Sequence, residues 1–406
     1  MRRAALPALV LLAGLALVAA LYAWGGDGYF ALRRAAGLQP FAPFLDLHNV
    51  MAAVACWHEG VDVYATNPCD VMGRLHIYSP LWLRLPAVFG LPALTGPIGV
   101  GLALAFILAL LVLPAPVGRG GMAALVLAVV SPDTVFALER ANMDVLIFVA
   151  VVLAVPLLAR GIAARGVAYA VFLGMGLLKF YPLVLLGLVV RERPRVALGF
   201  GVAAVALAAL AVLPLGDEFG RAIGNILPHP AFTGTFGSRQ LADGLALLLP
   251  GHGGVAVAAG VLAAAVVGLA VRLAEVGLAA ADGLARREAD LLLVGGVLIS
   301  GCFLAGESVE YRAIFLVLAM PALLRLGGGS RLFIATSWGA VWLLWDPVVR
   351  RVVARLAPAQ DGIPGPPGLL LWGVRELLWW WVVVVLIVLM AGMLRRAPSI
   401  ARLGSR

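Results

Sequence analysis

Four stretches of the sequence set ionisable side chains against long apolar runs, and each carries residue types that could do chemistry. Phe44-Leu45-Asp46-Leu47-His48-Asn49 offers a carboxylate two residues from an imidazole. Asp46 could take a proton as a general base, with His48 orienting it or sharing the work. It also stands where a helix N-cap would stand. Glu139-Arg140-Ala141-Asn142-Met143-Asp144 puts Arg140 and Asp144 four apart, the spacing of a helical ion pair. That stretch is either a structural bridge or the polar wall of a cavity. Lys179-Phe180-Tyr181-Pro182 interrupts an apolar run with the single lysine of a chain that has 29 arginines. A compact ammonium binds phosphate as a point charge, or snorkels at a helix end. Glu307-Ser308-Val309-Glu310-Tyr311-Arg312 holds two carboxylates and an arginine in six residues. It reads as a solvated turn, or as an arginine near a membrane facing an anion. A charge at mid-bilayer costs about 2.5–3.5 kcal/mol on insertion scales, so charges embedded this way call for a reason.

The elements that must position these groups are membrane segments. Of 406 residues, 63% are hydrophobic and 13% charged. An ordinary soluble domain is about half apolar and about a quarter charged, so soluble, disordered and nucleic-acid-binding classes are excluded. Apolar runs lie at 6–24, 79–113, 121–131, 142–158, 167–190, 196–215, 254–273, 290–305, 313–325, 332–345 and 369–393. They predict an all-α polytopic membrane protein with about 11–12 membrane segments, some broken or re-entrant, forming one domain over 1–406. The run 79–113 carries Pro86, Pro92 and Pro97, and 167–190 is interrupted at Lys179–Pro182, so that neither half crosses as a straight helix. Broken helices survive at membrane depth only where they line a cavity or pack on protein. Met1-Arg2-Arg3 before the first run reads as an uncleaved signal-like first helix.

Arginine placement predicts sidedness. With both termini cytoplasmic, 17 arginines and 5 acids fall on the inner side, against 12 and 16 on the outer. The long loops 25–78, 216–253 and 346–368 then lie outside, with 167–190 dipping in and returning as a hairpin. Residues 46–59 read as an amphipathic helix on the membrane surface. Cys56 and Cys69 share the first outer loop, as a disulfide or as two free thiols, and the three cysteines form no metal pattern. His58 and Asp62, at i and i+4, are a weak metal pair.

No DxD, GxxxxGK[ST], HExxH or GxSxG motif occurs, so a nucleotide-driven cytoplasmic activity finds no support. Chemistry on the outer face would need an activated group from a lipid carrier, whose phosphate suits cations at membrane depth.

The order of motifs resembles the polytopic GT-C glycosyltransferases. It is most similar to the branch containing the polyprenyl-phosphate-mannose-dependent α-1,2-mannosyltransferases of phosphatidylinositol mannoside synthesis. The carriers are Asp46, Gly60-Val61-Asp62-Val63-Tyr64, Tyr78-Ser79-Pro80, Glu139 to Asp144, Leu178 to Pro182, Glu310-Tyr311-Arg312 and Arg375-Glu376-Leu377-Leu378-Trp379-Trp380. The chain has Tyr-Ser-Pro where that family would have Tyr-x-Pro-Pro, and only His229 and His252 stand for its later-loop histidine. The resemblance implies inverting transfer of a sugar, mannose in the first instance, from a polyprenyl-phosphate donor to a lipid or glycan acceptor at the outer face of the cell membrane. Asp46 would be the base. Lys179, Arg140 and Arg312 would bind the donor phosphate. His48, Tyr78, Glu139, Asn142, Asp144, Tyr181, Glu307, Glu310 and Tyr311 would line the substrate cavity. Phosphate is a good leaving group, so no general acid is required, and with cations beside it a metal is not obligatory; no cofactor is expected, membrane lipids are partners and nucleic acid is not. The rival classes are a lipid-linked-oligosaccharide flippase or other transporter, and a non-catalytic scaffold.

Overall fold

A computed structural model describes residues 5–35, 42–249, 254–305, 307–360 and 362–398. They are mostly helical; the exceptions to an all-α fold are a two-residue antiparallel pairing of Thr235–Phe236 with Ser308–Val309 and a single bridge between Gln360 and Ile363. Seven helices among the described residues are long and apolar enough to cross a membrane: Leu6–Ala23, Pro92–Leu111, Gly118–Glu139, Ile162–Lys179, Pro194–Gly224, Arg331–Leu356 and Pro366–Arg395. Gly260–Arg272 and Ala274–Ala281, bent by 51°, would make an eighth. The remaining predicted segments are shorter or more charged. Leu316–Gly327, for example, has 12 residues and spans about 18 Å against a hydrocarbon core of about 30 Å.

The chain forms two compact units. One comprises Met1–Phe41, Leu110–Phe136 and His229–Arg396; the other comprises Ala42–Ala109, Ala137–Pro228 and Ala397–Arg406.

In the first unit, Arg286–Leu304 and Leu316–Gly327 form the centre, with every residue from Leu316 to Met320 fully buried. Small residues set how closely helices approach there. A Cβ on Gly277 would lie 2.0 Å from the Val388 carbonyl oxygen, and one on Gly392 would lie 2.2 Å from the Leu278 nitrogen; close helix packing of this kind needs glycine. The predicted outer loop 346–368 is largely helix: Arg331–Leu356 runs through Asp346 and Arg350, and only 357–365 connects it to Pro366–Arg395. At 26 residues the helix is about 39 Å long, longer than the hydrocarbon, so its charged end needs no loop.

In the second unit, Leu45–His58 is buried on most of its circumference. It is a core helix, not the amphipathic surface helix that its mixed composition suggested. Asp46, Asn49 and His58 bond to protein groups, whereas the buried His48 Nε2 has no hydrogen-bond partner among the described residues. Cys56 and Cys69 are disulfide-bonded, tying the end of this helix to the loop that follows. Ile162–Lys179 qualifies as a span because it begins five residues before the apolar run, so this half of the interrupted run is longer than the sequence suggested. It ends at Phe180 (φ 59°), and the 3-10 helix Tyr181–Arg191 folds back against it as the expected hairpin. Gly176 permits that return, since a Cβ there would lie 2.5 Å from the Leu183 side chain. Pro194–Val212 buries no residue, as befits an apolar helix surrounded by lipid.

Candidate functional site

The Asp46 network of the second unit is assembled by three breaks in the helices. Helix Leu45–His58 starts after Phe44, whose φ is 63°, and no side chain caps it. Backbone carbonyls do so instead: Phe44 N donates to Glu139 O (2.6 Å), and Asp46 N and Leu47 N both donate to Arg140 O (3.1 and 3.3 Å). Asp46 therefore is not the N-cap; it sits one position inside the helix, with its carboxylate turned to side chains. The second break is at Ala141 (φ 44°), between the helix ending at Glu139 and the one beginning at Met143. The third is at Phe180. Among the described residues only four non-glycine residues have positive φ, and three of them, Phe44, Ala141 and Phe180, flank this network. Such conformations cost of order 1–3 kcal/mol each and persist where packing over-determines them. Gly99 shows how: a Cβ there would lie 2.4 Å from the Phe44 ring, so only glycine admits the strained residue.

Asp46 Oδ1 accepts from Arg140 Nε (3.0 Å) and Nη2 (2.5 Å) and from Arg74 Nη1 (3.3 Å); Oδ2 accepts from Asn142 Nδ2 (2.7 Å). Arg74 is held in turn by both oxygens of Asp70 (2.8 and 3.0 Å) and by Leu45 O (2.7 Å). Asn142 joins this half to the next. Its Oδ1 caps the following helix by accepting from Asp144 N (3.0 Å) and also accepts from Lys179 Nζ (2.6 Å). Lys179 Nζ lies 2.7 Å from Asp144 Oδ1, which also accepts from Tyr181 Oη (2.6 Å). The Tyr78 ring centroid is 5.7 Å from Nζ, within cation–π range.

The three acids Asp46, Asp70 and Asp144 thus meet the three cations Arg74, Arg140 and Lys179. Among the three cations side-chain exposure falls from 27% at Arg74 through 14% at Arg140 to 7% at Lys179, while the acids are buried throughout. Burial works to raise the Asp70 carboxyl, but hydrogen bonds from the Arg74 side chain and backbone outweigh it and hold it below the usual carboxylate range. His76 is fully buried between the rings of Tyr64 and Tyr78. Burial pushes its imidazole down to about 4.

Several expectations change. The i, i+4 pair Arg140–Asp144 does not form, because the chain is non-helical at Ala141; Arg140 pairs with Asp46, and Asp144 with Lys179. His48 does not serve Asp46. Two residues along a helix face opposite ways, and His48 lines a separate cavity of about 490 Å³ with Met51, His58 and Glu59. Asp62 pairs with Arg221 (2.5 Å) rather than joining His58, and hydrogen bonds from Arg221 hold its carboxyl low. Asp70 and Arg74, absent from the expected set, are central to it. Their i, i+4 spacing was visible, but nothing local tied them to Asp46.

Glu307, Glu310, Tyr311 and Arg312 belong to the first unit. There Glu307 Oε2 accepts from His229 N (2.9 Å), Arg312 Nη1 donates to Ser308 Oγ (3.0 Å) and Tyr311 packs on Phe136. His252 lies outside the described residues. Glu310 pairs with Arg350, whose Nε also donates to Asp346 Oδ2 (2.5 Å). Arg375 is 3.5 Å from the same Asp346 oxygen and donates to Glu376 Oε1 (2.7 Å) and Thr233 O (2.7 Å). A cavity of about 640 Å³ adjoins this cluster. Sequence reasoning missed Asp346 and Arg350 by reading them as loop, and it quoted Arg375-Glu376 in a motif without giving them a site role, because a neighbouring acid and base in a helix do not announce a longer-range partner.

No protein-family model matches the chain, and no curated protein or solved structure matches it.

Proposed function

We propose that the protein is a membrane glycosyltransferase that moves a sugar, mannose in the first instance, from a polyprenyl-phosphate donor to a lipid or glycan acceptor at the outer membrane face. A GT-C-like arrangement of its helices, with both termini cytoplasmic, is part of this reading. One observation carries it: the Asp46 carboxylate is held by strained backbone beside two partly exposed guanidiniums, Arg74 and Arg140.

A carboxylate oxygen has two lone pairs. Oδ2 of Asp46 accepts one hydrogen bond, from Asn142, and keeps a second lone pair for an acceptor hydroxyl. In the proposed step Asp46 takes the hydroxyl proton and the acceptor oxygen attacks the anomeric carbon from the face opposite the phosphate. The bond from that carbon to the phosphate oxygen breaks, and polyprenyl phosphate leaves with the electron pair. Arg74 and Arg140 stabilise the charge that develops on it; one such preorganised donor is worth about 3–4 kcal/mol. Lys179, buried against Asp144 and Asn142, positions the network instead of meeting the donor directly, a sharper assignment than its residue type allowed.

The test is transfer by purified protein in lipid bilayers, supplied with radiolabelled polyprenyl-phosphate-mannose and total membrane lipid. A new labelled glycolipid, lost in Asp46→Asn, is the expected result. Folded protein that yields no labelled product overturns the proposal.

A further inference from the structure

The first unit holds a second place built for an anion. Among the described residues, the cavity of about 640 Å³ is lined by four arginines, Arg350, Arg351, Arg355 and Arg375, and by one carboxylate, Glu310. Two of these arginines are fixed from behind: Arg350 by Asp346 and Glu310, Arg375 by Glu376, Asp346 and the Thr233 carbonyl. Their positions are set before any ligand arrives, which lowers the ordering cost of binding. Of the other two, Arg351 donates to the Arg34 carbonyl and to no acid. No carboxylate among the described residues pairs with Arg351 or Arg355, and they stand four apart on one helix, Arg331–Leu356. Like charges at that spacing repel unless an anion lies between them. Trp372 belongs to the same wall, 7% exposed and packed edge-to-face on Phe232. Phe232, Leu371 and Val353 make the rest apolar. The volume falls within the range of ligand pockets and exceeds what a phosphate alone would fill.

We infer that this cavity binds a phosphate-bearing ligand, with the phosphate between Arg351 and Arg355 and an apolar portion against Phe232 and Trp372. Guanidinium pairs match phosphate oxygens in geometry as well as charge, and the apolar wall favours an anionic lipid headgroup with the start of its chains over free phosphate. The inference does not depend on the transferase reading, because it concerns binding in the other unit.

The experiment measures equilibrium binding of fluorescent phosphatidic acid to full-length protein in uncharged nanodiscs. Uncharged fluorescent diacylglycerol and inorganic phosphate as competitor form the other arms. Phosphatidic acid should bind saturably and diacylglycerol should not. Arg351→Ala and Arg355→Ala should each weaken binding by about tenfold, the effect of one charge-assisted hydrogen bond. Both residues lie toward the rim, so the variants should keep the fold, checked by thermal unfolding. Displacement by millimolar inorganic phosphate would identify free phosphate as the ligand; resistance to it would identify the lipid headgroup. Equal binding of diacylglycerol and phosphatidic acid, or unchanged affinity in the double variant, overturns the inference. Asp46→Asn should bind phosphatidic acid like wild type, which separates this result from any failure of transfer.

Discussion

The two polar clusters solve the problem of charge inside an apolar protein differently. Around Asp46, Asp70 and Asp144, each acid meets at least one of Arg74, Arg140 and Lys179, and Asn142 bridges the halves. In the first unit the buried acids Asp133, Asp346 and Glu376, with Glu310, outnumber the two anchored arginines, while among the described residues no acid pairs with Arg351 or Arg355 at the cavity. The first arrangement pairs each of these acids with a cation, is closed at Lys179 and open at Arg74, and stands among strained residues. That suits a group that must hold one geometry through a reaction. The second leaves positive charge facing space, which suits binding. Counting charges near a membrane would have treated both alike; who is paired with whom separates them.

The comparison breaks most readily at Lys179. If its role is to neutralise Asp144, Lys179→Met leaves a buried carboxylate without its charge partner, which costs about 3–5 kcal/mol of stability. Adding Asp144→Asn should recover most of that loss, and thermal unfolding of the three variants in detergent gives the coupling. A near-silent Lys179→Met would mean that the network is not paired as described.

Acid should act next most strongly, through His76 in the second unit. Its folded value of about 4 lies below the ordinary 6.5. The imidazole's contribution is therefore complete above pH 6.5 and is lost as pH falls from 6.5 through about 4, by about 3 kcal/mol in all. Below that window Asp70, also held low, adds to the loss as it protonates. Unfolding temperature against pH should fall over this range for wild type and flatten between pH 6.5 and 4 in His76→Phe.

Asp46→Asn should lower transfer at least about a hundredfold, near 2.7 kcal/mol, with folding retained. Asparagine keeps an acceptor for Arg140 but gives up the base. Near-normal turnover would leave Asp46 a purely structural member of the network. The smallest expected effect sharpens the choice of phosphate-binding cation: Arg74→Ala should raise the donor KM by about tenfold and leave the acceptor KM unchanged, since Arg74 is the most exposed cation of the network. If donor KM moves only in Lys179 variants, the assignment returns to the lysine.

Much of the cluster membership was legible because embedded charge is costly and so stands out. Asp46, Arg140, Asn142, Asp144, Lys179 and Tyr181 were all marked by their setting in apolar sequence, and the Phe180 break was legible from Lys-Phe-Tyr-Pro. The pairing was not legible. Arg140 and Asp144 share a spacing that predicts a helical bridge, yet the left-handed Ala141 points them to different partners, 94 residues away in one case. The burial of Leu45–His58 was equally hidden, because a helix whose polar residues mostly bond to protein has the same composition as one whose polar residues face water.

What the sequence by itself determined is the helical, membrane-spanning character of the chain. That property is additive: hydrophobic side chains over about 20 residues suffice to cross a bilayer, whatever lies elsewhere in the chain. It also determined where charge is concentrated, since each embedded acid or base is read one residue at a time. Only the tertiary structure decided which acid meets which base, that Asp70 and Arg74 complete the Asp46 network, and that Arg351 and Arg355 face a cavity. Ion pairs form over about 4 Å in space and are indifferent to separation along the chain, so local spacing carries no information about them once the backbone turns.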